Sequence, residues 1–176
     1  MLDSIITSKT RVKLLLKFLL NSQTKSYLRG LENEFGESSN AIRVELNRLE
    51  EAGILVSEID HNKKYFRANT RHPMFDDIHN ILKKNVGIDQ IIDRIIAQIG
   101  NLQAAYITGD FAIGHESKII DLVLIGQNLD TNYISSLVAK AETLINRKIR
   151  HLELTSDQMT EYFQNKPTFL IWKQEI

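Results

Sequence analysis

The sequence predicts an α+β chain in two parts: an N-terminal helical segment closed by a β-hairpin, then a small α/β unit. Three observations carry this. Apolar residues recur at helical spacing to about residue 52, then give way to two short strands around a polar turn. Beyond residue 100, strand-like apolar runs alternate with helical patterns and are punctuated by glycines. Charge is uneven: residues 1–85 hold 14 Lys/Arg against 11 Asp/Glu, and residues 86–176 hold 8 against 11. A mildly basic first half and a mildly acidic second half suit two domains with different tasks, hidden behind a net charge of zero.

Composition narrows the class. With 43% hydrophobic and 25% charged residues, the 176-residue chain has the make-up of a folded globular protein. It has no cysteine, which excludes disulfides, thiolate metal sites and cysteine nucleophiles. No apolar run approaches the ~18 residues that span a bilayer. The start, Met1 to Ile5, lacks the basic and long apolar regions of a signal peptide. The expectation is a soluble cytoplasmic protein with no membrane partner.

The first helix is expected over 8–20, with Ser8 as cap, Val12, Leu15, Leu16 and Leu19 inward, and Arg11, Lys13 and Lys17 outward. A second runs from Tyr27 to Phe35 and stops at Gly36. Ser38 or Ser39 caps a third, which runs to about Ala52 with Gly53 behind it. Ile42, Leu46 and Leu49 form its apolar stripe, while Asn40, Arg43, Val44 and Asn47 share the other face. Arginine donates two bonds to guanine and asparagine pairs with adenine, so this face suits a major groove. Ser38 and Ser39 sit where helix N–H groups and hydroxyls meet phosphate. The strands Ile54–Ile59 and Lys64–Ala68 then form a hairpin, and Lys63, Lys64 and Arg67 are placed to touch the DNA backbone. Three helices and a basic hairpin in this order predict a winged helix-turn-helix over residues 1–72, bound to double-stranded DNA.

The stretch from Tyr27 to Leu55, above all LNRLEEAGIL at its end, resembles the helix-turn-helix of ArsR-like bacterial regulators. The resemblance covers about residues 5–72 and implies a transcriptional regulator, usually dimeric. Metal-sensing members use cysteines or clustered histidines. Here His61, His72, His79, His115 and His151 are scattered, so no metal is expected.

Residues 73–99 read as a helical linker or dimerisation region. Pro73 opens one helix carrying Met74, Phe75, Ile78, Ile81 and Leu82; Asn85 to Gly87 punctuates; a second helix spans Ile88 to Ile99. Its apolar faces fit packing between domains or a homodimer seam, since two half-sites need two winged helices.

Residues 100–176 read as strand Leu102–Thr108, a turn bracketed by Gly109 and Gly114, strand Lys118–Ile125, helix Asn132–Ile145, strand Ile149–Leu154 and a helix capped by Ser156. Phe169 to Trp172 must be buried as a strand, a helix or a subunit contact. The stretch from Gly109 to Gly126 resembles minimal nucleotidyltransferases, a likeness that covers about residues 88–165. Their motif is Gly-Ser, a short loop ending in Gly, then a strand with Asp-x-Asp whose two carboxylates share one face and bind Mg²⁺. The resemblance places the nucleotide site at Gly109, Asp110 and Asp121, with Asp110 in the serine position and Ile119 where the first carboxylate belongs. Glu116 is a poor replacement, and Glu153 on the next strand is a candidate third carboxylate. The incomplete motif predicts no catalytic residue, no cofactor and no enzyme, but a module binding a nucleotide, another small ligand or a partner. Two alternatives stand: an active Mg-dependent transferase targeted by the winged helix, and a winged-helix protein-interaction module.

Overall fold

The computed structural model describes residues 2–115, 117–164 and 166–174, and shows a mixed α+β chain with two separate sheets. Met1, Glu116, Glu175 and Ile176, which enter the reading of the sequence, lie outside the described residues. The chain divides into two units, Met1–Asn85 and Val86–Ile176, so the segment 73–99 is shared between them. No helix among the described residues is long and apolar enough to cross a membrane.

In the first unit, α1 (Leu2–Ile5) precedes α2 (Lys9–Leu15). Ser8 caps α2, its hydroxyl accepting the Arg11 N–H at 3.2 Å. A π-helical turn, Leu16–Leu20, continues it. The expected stripe is too narrow. Val12, Leu14, Leu15, Leu16, Phe18, Leu19 and Leu20 are all buried, because α2 and its π turn are enclosed by neighbours that include the third helix and the hairpin. Lys17, expected in water, is buried with them, and its Nζ meets Glu34 Oε1 at 2.8 Å. A charge so placed is tolerable only when paired.

A short strand, β1 (Lys25–Tyr27), precedes α3 (Leu28–Phe35); three residues are too few to show an alternating pattern. Gly36 ends α3 at φ 63°, a conformation that costs glycine little. Helix α4 (Ser39–Glu51) is capped by Ser38, whose side chain accepts the Ala41 N–H at 3.4 Å. Strands β2 (Leu55–Asp60) and β3 (Lys63–Ala68) form the hairpin around His61 and Asn62. β1 pairs with the free edge of β3, giving the antiparallel order β1-β3-β2. Helix α5 (Phe75–Val86) begins two residues beyond Pro73 rather than at it.

The bond set that fixes α4 centres on Glu45. Ile42, Leu46 and Leu49 are buried as expected, and Glu45 is buried among them. Its carboxylate accepts Arg11 Nε at 2.8 Å and Nη2 at 3.3 Å, Ser8 Oγ at 2.9 Å and Arg48 Nη1 at 3.3 Å. Burial pushes its pKa up, but the bonds from Arg11 and Ser8 outweigh this and hold it below the ordinary value of 4.5.

The second unit opens with α6 (Ile88–Arg94) and a 3₁₀ turn, Ile96–Gln98, in place of one continuous helix to Ile99. Then follow β4 (Leu102–Thr108), the single-turn α7 (Gly109–Ala112), β5 (Ile119–Gly126), α8 (Thr131–Ile145), β6 (Lys148–Leu154), α9 (Ser156–Phe163) and β7 (Thr168–Lys173). The sheet order is β6-β5-β4-β7. β5 and β6 run parallel, joined by the α8 crossover, and the other pairs are antiparallel. One face packs Ala104, Val123 and Ile125 against Met159, Tyr162 and Phe163 of α9. Ile120, Leu122 and Leu124 point to the other face, which α8 covers. Burial on both faces explains the apolar run 122–125 in β5. Thr155, not Ser156, caps α9 through a reciprocal bond with Gln158. The run Phe169 to Trp172 forms the edge strand β7.

Replacing Glu45 with alanine leaves Arg11 without its main acceptor. Chemical denaturation should show a loss of about 2 kcal/mol. Glu37, Glu45 and Glu50 all have lowered pKa values in the fold. Their stabilisation is therefore fully present above pH 4.5 and is lost as pH falls below it. Unfolding midpoints across that range should fall with pH, and less steeply in Glu45→Gln.

Candidate functional site

Two concave regions, one in each unit, hold some of the residues singled out in the sequence. In the first unit, α4, the start of α3 and the hairpin tip enclose a groove of about 510 Å³. The α4 stripe that packs inward turns Arg43 and Asn47 outward, and both line this groove. Lys63 and Lys64 enter from the hairpin with Asn62 between the strands. Arg29, one residue into α3, joins them. Sequence reading does not single out Arg29; its exposed place one residue after Leu28 is the available signal. Leu46 and Phe66 form part of the apolar floor.

The cations here differ in their partners. Lys64 Nζ lies 2.7 Å from Glu50 Oε2 on α4. Lys63 Nζ sits 4.5 Å from the centre of the Tyr27 ring. Arg29 and Arg43 have no carboxylate partner among the described residues. Strand alternation places Lys63 and Arg67 on one face of the hairpin and Lys64 on the other. Arg67 does not line the groove and lies opposite Lys25 in the β1–β3 register. Ser38 and Asn40 are exposed and Ser39 is half-buried at the start of α4, away from the groove lining.

In the second unit a groove of about 480 Å³ opens at one end of the sheet, where Thr108, Gly109, Asp121, Arg150, Tyr162 and Lys166 meet. Gly109 has φ 65°, and a Cβ there would collide with the Asp121 carboxylate. Two independent constraints thus require glycine beside this aspartate. Asp110 is exposed on α7 and does not line the groove.

Asp121 is neutralised by a residue the sequence did not single out. Register pairs it with Arg150 on β6, whose Nε reaches Oδ1 at 2.6 Å and Nη2 reaches Oδ2 at 2.9 Å. Such a two-pronged guanidinium–carboxylate pair is among the stronger polar contacts available to a protein. Ile119 shares the face of Asp121 and is 37% exposed. Glu153 does not complete a cluster. It points to the opposite face, accepting Thr131 Oγ1 at 2.6 Å and contacting His151 Nδ1 at 2.9 Å. Mg²⁺ asks for several oxygen donors. Both Asp121 oxygens face Arg150, Ile119 offers none, and no group of three His, Cys, Asp or Glu residues suited to a metal occurs among the described residues. The residues present do not fit the metal that the nucleotidyltransferase resemblance implies.

No family model and no curated protein matches this sequence. Among solved structures, it is similar to a toxin–antitoxin protein crystallised with AMP-PNP, at 17% identity and a TM-score of 0.41, over 49% of this chain and 73% of that one. A variant of the MntA–HpeT toxin–antitoxin pair gives the same values. A protein from Sulfolobus solfataricus, assigned as a nucleotidyltransferase, is similar at 18% identity and a TM-score of 0.39, over 55% of this chain and 86% of that one. The expectation that the chain is not an enzyme is withdrawn, since one of these neighbours is named as a nucleotidyltransferase.

Gly109→Ala would place a β-carbon against Asp121 at positive φ. Its denaturation midpoint should fall, corresponding to a loss of at least about 1 kcal/mol. An unchanged midpoint would show that the carboxylate moves aside freely.

Proposed function

We propose that the first unit is a winged helix-turn-helix and that the chain is a transcriptional regulator binding duplex DNA. On this reading α4 enters the major groove and the β2–β3 hairpin lies on the flanking backbone. The observation that carries it is the convergence of Arg43 and Asn47 with Arg29 and Lys63 around one groove, with both guanidiniums lacking a carboxylate partner among the described residues. Cations left without partners beside amide side chains match a surface of phosphates and base edges. Ser38, Ser39 and Asn40 then approach phosphate from the start of α4. Two copies of the chain bind two half-sites, so the working form is a homodimer in the cytoplasm. The second unit takes a nucleotide or other small ligand in the groove of Gly109, Asp121 and Arg150, and informs the first.

A duplex enriched from a random pool supplies the test. Arg43→Ala should weaken binding to it by about 1–3 kcal/mol, with little change on random duplex. Lys63→Ala should weaken binding to both alike and reduce the slope of log K against log salt by about one. If no duplex is enriched, or if neither change alters binding, the reading fails.

A second reading assigns nucleotidyl transfer to the second unit. It is favoured by the Gly109 turn held against Asp121 at the mouth of a groove. Labelled ATP incubated with the chain in Mg²⁺ or Mn²⁺ should then give label transfer that Asp121→Asn abolishes. Transfer equal in the two proteins would remove Asp121 from the chemistry.

A further inference from the structure

The groove-lining cations Arg29, Arg43, Lys63 and Lys64 are not equivalent. Lys64 is held by a carboxylate of the very helix assigned to the major groove. Glu50 lies one residue from the end of α4 and reaches both strands of the hairpin. Its Oε2 takes Lys64 Nζ at 2.7 Å, and its Oε1 takes the Ser57 hydroxyl. Ser57 and Lys64 point to the same side of the hairpin. Neither partner is deeply buried: 46% of the Lys64 side chain and 30% of the Glu50 side chain are exposed.

A phosphate approaching Lys64 meets an ammonium already neutralised, with a carboxylate beside it. Phosphate contacts supply sequence-independent affinity, whereas contacts to base edges supply discrimination. A carboxylate that takes up one phosphate-seeking cation lowers the first without touching Arg43 or Asn47. Specificity is a difference of affinities, and a repulsive element raises it as surely as a new contact. We infer that Glu50 is a specificity-determining residue: it withholds Lys64 from the DNA backbone and thereby suppresses binding to non-cognate duplex. The same two bonds tie the hairpin to α4, so the residue also positions the wing. This inference rests on the DNA-binding reading of the first unit.

The test compares the full chain with Glu50→Gln, Lys64→Ala and the double variant, on random duplex and on duplex enriched with the wild type, across a salt series. Glu50→Gln should tighten binding to random duplex about 3- to 10-fold at low salt. It should also steepen the salt slope by about one and narrow the ratio between enriched and random duplex. The double variant should return to wild-type affinity for random duplex. In the wild-type background, Lys64→Ala should leave the salt slope nearly unchanged. A purely structural role for Glu50 would weaken binding rather than strengthen it. Equal or weaker binding of random duplex by a folded Glu50→Gln protein, with an unchanged slope, would overturn the inference while DNA binding stands. If Glu50→Gln fails to fold, Lys64→Ala alone decides: an unchanged slope supports the inference, and a slope lower by one overturns it. Failure of the wild type to bind any duplex would overturn both readings.

Discussion

The first unit depends on a buried carboxylate. Glu45 lies on α4 among Ile42, Leu46 and Leu49, where an unpaired charge would cost several kcal/mol. The fold tolerates it because Arg11 and Ser8 stand opposite on and before α2. That requirement has a geometric consequence. Apolar packing alone allows a helix some freedom to roll on its neighbours, whereas a carboxylate bonded by a guanidinium fork and a hydroxyl does not. Fixing the roll of α4 fixes the direction of Arg43 and Asn47. The outward face is thus set by what is buried on the inward one.

The second unit uses the same chemistry for a different result. Asp121 sits near the start of a strand buried on both faces, where Gly109 leaves room for its carboxylate and Arg150 neutralises it. In the motif that residues 109–126 resemble, a divalent cation would balance such a carboxylate. Here a guanidinium from the adjacent parallel strand supplies the positive charge, at the register position directly opposite. Ile119 then has no charge to complement, which fits its apolar side chain. Glu153 is only three residues from Arg150, but the pleat sends it to the far face, where α8 supplies Thr131.

Much of the architecture was legible from local pattern. Ser8 and Ser38 as caps, Gly36 and Gly53 as helix stops, and Ile42–Leu46–Leu49 as an inward stripe all follow from rules that operate within a turn or two of chain. The hairpin turn at His61 and Asn62 and the strand from Ile119 to Gly126 are of the same kind. Misreadings arose where a pattern met enclosure or competition. Lys17 looked like a wet-face residue because the enclosure of the π turn by other elements is not a property of its own helix. Ser156 looked like a cap, but Thr155 takes that place with Gln158, freeing Ser156 to donate to Gln103. Arg29 is not legible as a site residue because nothing in its neighbourhood in sequence reveals that Arg43 and Lys63 line the same groove.

By itself, then, the sequence determined the kind and order of the elements, their caps and stops, and the sides they bury, because these follow from backbone geometry over a few residues. Tertiary structure alone decided which charges are neutralised and which stay available. Arg11 and Glu45 are 34 residues apart in sequence, Arg150 and Asp121 are 29 apart, and Lys64 and Glu50 are 14 apart. A charge acts through distance in space, and only the folded chain sets those distances. The same holds for the two grooves. Their chemistry depends less on which residues are present than on which carboxylate each cation meets.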